Sequence, residues 1–118
     1  MIELFRLKRV AHLPAGSLSY GQQKLIDIAM AFMAAPRLVL LDEPCAGVNP
    51  SLVDQLHDRL VELNKTQGGS FVVIEHNMDF IMRLCPHVIC MVEGKVLAEG
   101  PPAEVQSNRQ VLEAYLGN

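Results

Sequence analysis

The segment Leu38-Val39-Leu40-Leu41-Asp42-Glu43-Pro44 carries two consecutive carboxylates directly after four aliphatic residues. An apolar run without alternation suggests a strand buried on both faces of a parallel sheet. Asp42 and Glu43 then fall at its carboxyl end, the edge where open α/β sheets bind ligands. There Asp42 can hold a divalent cation, directly or through water, and Glu43 can orient or deprotonate an attacking water. His76 follows a second such run, Phe71-Val72-Val73-Ile74-Glu75. Parallel pairing of the two runs would bring Asp42, Glu43 and His76 to one edge, where an imidazole can donate a hydrogen bond to a phosphate oxygen. Leu18-Ser19-Tyr20-Gly21-Gln22-Gln23 sets a hydroxyl, a glycine and an amide where a helix begins. Its unpaired N–H groups and the positive end of the helix dipole form an anion site. Taken singly, each segment also has a plain structural reading: solvated acids ending a strand, a capped helix, a structural histidine. Their order and spacing together favour phosphate chemistry.

The elements that must position these residues are readable from periodicity and punctuation. Residues Ile2–Val10 suggest a short helix with Leu4, Leu7 and Phe5 to one side, and Leu13–Ser17 (LPAGS) is turn chemistry. Ser19 with Gln22 three residues on fits a capping box, and Leu25, Ile28, Ala29, Phe32 and Met33 recur at helical spacing before Pro36. Asn49 and Pro50 are an N-cap and a first helical residue, with Leu52, Val53, Leu56, Leu60 and Leu63 as the apolar face and Gly68-Gly69 as the break. A helix is expected over Met78–Leu84, a β-hairpin over Val88–Val92 and Lys95–Ala98 about Glu93-Gly94, and two short helices after Pro101-Pro102, near Ala103–Ser107 and Arg109–Leu116. Strands alternating with helices define an α/β layer on a parallel sheet, closed by a C-terminal hairpin and short helices.

Composition excludes several other classes. The 118 residues are half hydrophobic with a net charge of −3, and the mean hydropathy is +0.21. That composition suits one globular domain, not a disordered chain, and its mild acidity speaks against a broad nucleic-acid face. The uncharged, mostly apolar stretches Ile28–Pro36 and Leu84–Val92 are about half the length that a membrane-spanning helix needs, about 20 residues. No direct membrane insertion is therefore expected, nor is a secretory signal, because the N-terminal residues mix charged and apolar types. The three cysteines, Cys45, Cys85 and Cys90, make no C-x-x-C pair and read as reduced thiols, not as a disulfide framework or a zinc site.

With these segments in hand, the sequence resembles the ATPase subunits of ABC transporters, from about Leu13 to Asn118. LSYGQQ is similar to the family's signature motif, with Tyr20 in place of the first of two usual glycines, and LVLLDEP resembles its Walker B strand. Ala46-Gly47-Val48-Asn49-Pro50 resembles the D-loop and His76 the switch histidine. EPCAGVNP, IEHNM and the ending VLAEGPPAEVQSNRQVLEAYLG are most similar to the branched-chain amino acid uptake branch, in which Tyr20 and Asn49 also look at home. The resemblance implies a partial P-loop NTPase (RecA-like) fold and ATP and Mg²⁺ as ligands. Asp42 would help bind the metal, and Glu43 and His76 would be catalytic. Ser19, Tyr20, Gly21, Gln22, Gly47 and Asn49 would contact nucleotide or its surroundings, the signature closing over ATP held by a facing subunit. A complete ATPase subunit and a membrane permease are the implied partners, with a cytoplasmic location, peripheral at the inner face of the cell membrane. A DNA-repair or chromosome ATPase shares some of these motifs, but the unbroken run from signature to Walker B and the amino-acid-uptake-like tail speak against it.

One half of the family's pattern is missing from these residues. A P-loop reads Gly-x-x-x-x-Gly-Lys-Ser/Thr, yet the one Gly-Lys, Gly94-Lys95, is followed by Val96 and has Ile89 at the earlier glycine position. An adenine-stacking aromatic and a glutamine loop before the signature are missing as well. Each charge-assisted hydrogen bond contributes about 1.5–3 kcal/mol, so the loss of three costs roughly 5–9 kcal/mol, a factor of about 10³ to 10⁶ in affinity. The expectation is one partial domain over 1–118: a signature-helix region at 1–36, a core with the hairpin at 37–100, and terminal helices at 101–118. Alone it would bind ATP weakly or not at all and would not turn it over. Its open strands would be covered in a homo-oligomer or strand-swapped dimer. The alternative is a non-catalytic oligomeric interaction module derived from such a subunit.

Overall fold

The computed structural model describes residues 1–116; Gly117, which closes the tail that carries the family resemblance, and Asn118 lie outside the described residues. The chain forms two compact units, Met1–His76 and Asn77–Asn118.

In the first unit a 3₁₀ turn at Ala15–Ser17 precedes α1 (Tyr20–Phe32), β1 (Leu38–Asp42), α2 (Pro50–Gln67) and β2 (Ser70–Ile74). Local chemistry sets these limits. Ser19 caps α1 through a capping box: its Oγ accepts from the Gln22 N–H at 3.3 Å, and the Gln22 Oε1 accepts from the Ser19 N–H at 2.9 Å. Asn49 Oδ1 accepts from the Leu52 N–H at 3.0 Å to start α2 behind Pro50, and Gly68, left-handed at φ +67°, ends it. β1 and β2 pair in parallel with Leu38 beside Ser70 and Asp42 beside Ile74. Val39 and Leu41 are buried, and the ring of Phe32 from α1 meets that of Phe71 edge-on at 5.3 Å. Leu56, Leu60 and Leu63 bury the inner face of α2.

Two expectations need correction. The strands are not buried on both faces: β1 alternates exposed and buried residues, and Leu38, Leu40, Val72 and Ile74 all face outward, Leu40 at 71% exposure. A sheet of two strands has one face against α1 and nothing described on the other, so the uniform apolar run reports a face left open. Residues 2–10 are also not a helix but a series of turns. The first turn closes at once, because the Arg6 N–H donates to the Glu3 carbonyl at 3.0 Å and the Leu7 N–H to the Ile2 carbonyl at 2.8 Å, with Arg6 left-handed at φ +54°. That is the Schellman closure that ends helices. Phe5 and Leu7 are nonetheless buried.

The second unit holds α3 (Met78–Leu84), the antiparallel pair β3 (Val88–Val92) and β4 (Lys95–Gly100), α4 (Pro102–Ser107) and α5 (Arg109–Leu116). Asn77 Oδ1 caps α3 through the Phe80 N–H at 3.1 Å. Glu93 at φ +48° and Gly94 at φ +75° make the two left-handed residues of a type I′ turn, the hairpin connection that matches strand twist. Phe80, Ile81, Val88, Val105 and Val111 form the core. Among the described residues no helix is long and apolar enough to cross a membrane.

Candidate functional site

Parallel register delivers Asp42 and Ile74 to the same end of the β1–β2 pair, so the residues that follow them meet beyond the strand ends. The Glu43 N–H donates to the Ile74 carbonyl at 2.8 Å, extending the ladder by one residue. Glu43 then adopts φ +44°, a left-handed conformation that costs a non-glycine residue about 1–2 kcal/mol. Such strain concentrates at functional sites. The turn lifts the Glu43 side chain out of the alternation and leaves it exposed, with its Oε1 3.8 Å from Nδ1 of the exposed His76. That separation is too long for a direct hydrogen bond, and unliganded catalytic pairs are often this loose. Asp42, also exposed, stands beside them. Asp42, Glu43 and His76 thus share one rim.

Beneath the rim lies Glu75, which was not among the candidate residues read from the sequence. Its side chain is fully buried. Its Oε1 accepts from the Cys45 N–H at 2.7 Å and its Oε2 from the His76 N–H at 3.0 Å, while His76 Nδ1 stands 3.9 Å from Oε2. The signal was present: period two along β2 turns Phe71 and Val73 inward and puts Glu75 on the same side. Cys45 is buried against this carboxylate, and burial first, then the charge of Glu75, pushes its thiol up to about 12.

The remaining candidates lie at the start of α1 and in the loop before α2. Ser19 and Gln22 engage each other in the capping box, and Ser19 is exposed. Tyr20 lies on Gly47: a Cβ built on that residue, whose φ is +69°, would come within 2.9 Å of the Tyr20 ring. Gly21 packs against Leu52, so closely that a Cβ there would overlap the leucine methyl. Asn49 is occupied as the α2 cap. A side chain at 47 would strain the backbone and displace the Tyr20 ring, and one at 21 would push the Leu52 methyl aside. An open basic depression lined by Glu3, Arg6, Lys8 and Arg9 includes none of the candidates.

Mg²⁺ usually takes one or two carboxylates and completes its shell with phosphate oxygens and water. The exposed Asp42 fits that demand. Among the described residues no cluster of three or more His, Cys, Asp or Glu could hold a metal unaided. The triphosphate is fitted only in part, since the 118 residues contain no P-loop.

The chain is similar to known proteins over nearly its whole length. Residues 1–46 match the family model for the ABC transporter, and residues 95–118 match that for the branched-chain amino acid ATP-binding cassette transporter. A high-affinity branched-chain amino acid transport ATP-binding protein, BraF, of Pseudomonas aeruginosa is 37% identical over 116 residues, covering 98% of this chain and 46% of its own length. A probable branched-chain amino acid transport ATP-binding protein, LivG, of Archaeoglobus fulgidus is 39% identical, with 99% of this chain and 45% of its own length covered. Among solved structures, an ATP-binding cassette of an ABC transporter in its ADP conformation superposes with a TM-score of 0.86 at 36% identity, covering 99% of this chain and 47% of that one. Over nearly its whole length the chain is similar to the family of ABC transporter ATP-binding cassettes. Within that family it is similar to the branched-chain amino acid type, and it spans a little under half the length of these relatives.

Proposed function

We propose that the chain supplies the hydrolytic rim and the signature face of the ATP-binding subunit of a branched-chain amino acid transporter. The observation that carries this reading is the meeting of Glu43 and His76, 3.8 Å apart, at the carboxyl edge of the β1–β2 pair beside Asp42. The Glu43 carboxylate takes a proton from water as its oxygen attacks the γ-phosphorus, and ADP leaves. His76 donates a hydrogen bond to the γ-phosphate as charge builds there. Asp42 would hold Mg²⁺, directly or through water, and the ion would offset charge on the phosphates. The Ser19 hydroxyl and the first N–H groups of α1 face a phosphate held by another subunit, and Tyr20 and Gly47 hold that face against the loop that begins at Glu43.

Without a P-loop the 118 residues bind ATP too weakly to turn it over alone. The partners on this reading are a complete ATP-binding subunit and a membrane permease, with the chain cytoplasmic and peripheral at the inner membrane face. Purified chain with Mg-ATP should show no turnover above background; turnover that Glu43→Gln abolishes would overturn the claim of inactivity. Mixed with a complete branched-chain-type ATP-binding subunit and its permease, the chain should co-purify in an ATP-dependent way. Glu43→Gln should then lower its share of turnover by about 10²-fold or more. Co-purification with turnover indifferent to Glu43 supports a second reading, a non-catalytic assembly module, which the open apolar face of β1–β2 favours.

A further inference from the structure

We infer that Glu75 is the positioning residue of the rim, a buried carboxylate that fastens the turn after β1 to the end of β2 and thereby sets Glu43 against His76. The two segments are 30 residues apart in the chain, and the carboxylate joins them with one oxygen each, 2.7 Å to the Cys45 N–H and 3.0 Å to the His76 N–H. A buried carboxylate is tolerable only where hydrogen-bond donors meet its oxygens. Here donors come from both strand ends, so withdrawal of either segment would leave charge exposed to an apolar interior. Glu43 is two residues from one anchor and His76 is the other anchor itself. The 3.8 Å between their side chains is therefore fixed by the backbone beneath them and not by their own weak, exposed contact. The left-handed turn at Glu43 needs such an outside restraint, because a strained residue persists only where its surroundings over-determine it.

The role assigned to the rim rests on the proposed ATP chemistry, but the bridge itself is testable without nucleotide. Amide hydrogen exchange and imidazole nitrogen signals of the ¹⁵N-labelled full chain report on it directly. In the parent, the Cys45 and His76 amides should exchange at least tenfold more slowly than amides of exposed loops; exchange of Cys45 at the exposed rate overturns the inference. Glu75→Gln keeps one acceptor oxygen and turns an NH₂ toward the other amide, so one of the two amides should lose protection about tenfold while the other keeps it. The His76 ring signals should shift while the signals of α2 stay in place, which a merely general loss of stability would not produce. Glu75→Ala should release both amides. If both variants fold and leave the two amides and the ring signals as in the parent, the inference fails; if the alanine variant does not fold, the glutamine variant decides. Failure of the chain to co-purify with a complete ATP-binding subunit and its permease would count against the proposed function and leave these readouts untouched.

Discussion

Cys45 shows how much the ground beneath the rim differs from the rim itself. Its thiol, pushed up to about 12 from 9.0 by burial and by the neighbouring Glu75 charge, is protonated at any ordinary pH. Between an unfolded value of 9.0 and a folded value near 12, the thiolate fraction at pH 8 falls about a thousandfold. Cys45 should therefore resist iodoacetamide at pH 8 in the folded chain and react once the chain is unfolded in urea, as peptide mass mapping would show. The sign for stability follows. A thiol whose folded value is raised favours the folded state fully below pH 9, and that contribution is lost as pH climbs from 9 toward 12. Cys85, also raised by burial, adds in the same direction. Cys45→Ala should flatten, without abolishing, the alkaline fall in urea-unfolding free energy.

Gly47 makes a second claim at this scale. Alanine there meets two separate obstacles, the left-handed backbone at φ +69° and the Tyr20 ring 2.9 Å from the new Cβ. Gly47→Ala should cost about 1–3 kcal/mol, the backbone part alone being about 1–2 kcal/mol. In the Tyr20→Ala background the same change should cost only the backbone part. Equal costs in both backgrounds in urea titrations would show that the ring does not rest on the loop.

Elements were legible wherever their ends are local chemistry. The Ser19–Gln22 box, the Asn49-Pro50 start of α2 and the Glu93-Gly94 turn all stand where side-chain type and spacing put them, because a cap or a tight turn is decided within about four residues. The rim was legible for a related reason: two apolar runs that pair in parallel leave no choice of edge for Asp42, Glu43 and His76. Three features were not legible, each because it depends on more than its own segment. Arg6 closes the first turn in a left-handed conformation, which propensity does not reveal. Leu38 and Leu40 look like core, but their exposure depends on what covers the outer sheet face. Glu75 looks like a solvated strand end until the Cys45 N–H arrives from 30 residues away. The caps can be tested as elements: Asn49→Ala should cost about 1 kcal/mol in a urea titration, while Leu60→Ala, at a site with no solvent exposure, should cost about 2–5 kcal/mol.

For the molecule as a whole, the open side of the β1–β2 pair is the dominant fact. Leu38, Leu40, Val72 and Ile74 are each half or more exposed on one continuous face, where complete burial of such a side chain contributes about 1.5–3 kcal/mol. Covering the face would thus recover about 4–7 kcal/mol per copy, comparable with the whole stability of a small domain. Two copies meeting through this face gain about twice that and lose about 4–15 kcal/mol in freedom of motion, so the balance points to a weak dimer that forms with rising concentration. Sedimentation velocity should show the sedimentation coefficient increasing across the micromolar range. Leu40→Glu, placed at the centre of the face, should hold the chain monomeric with an unchanged far-ultraviolet dichroism spectrum, since residue 40 contributes nothing to the buried side of the sheet. A parent chain that stays monomeric at high micromolar concentration would mean that this face awaits some other cover, and self-association would have to be abandoned.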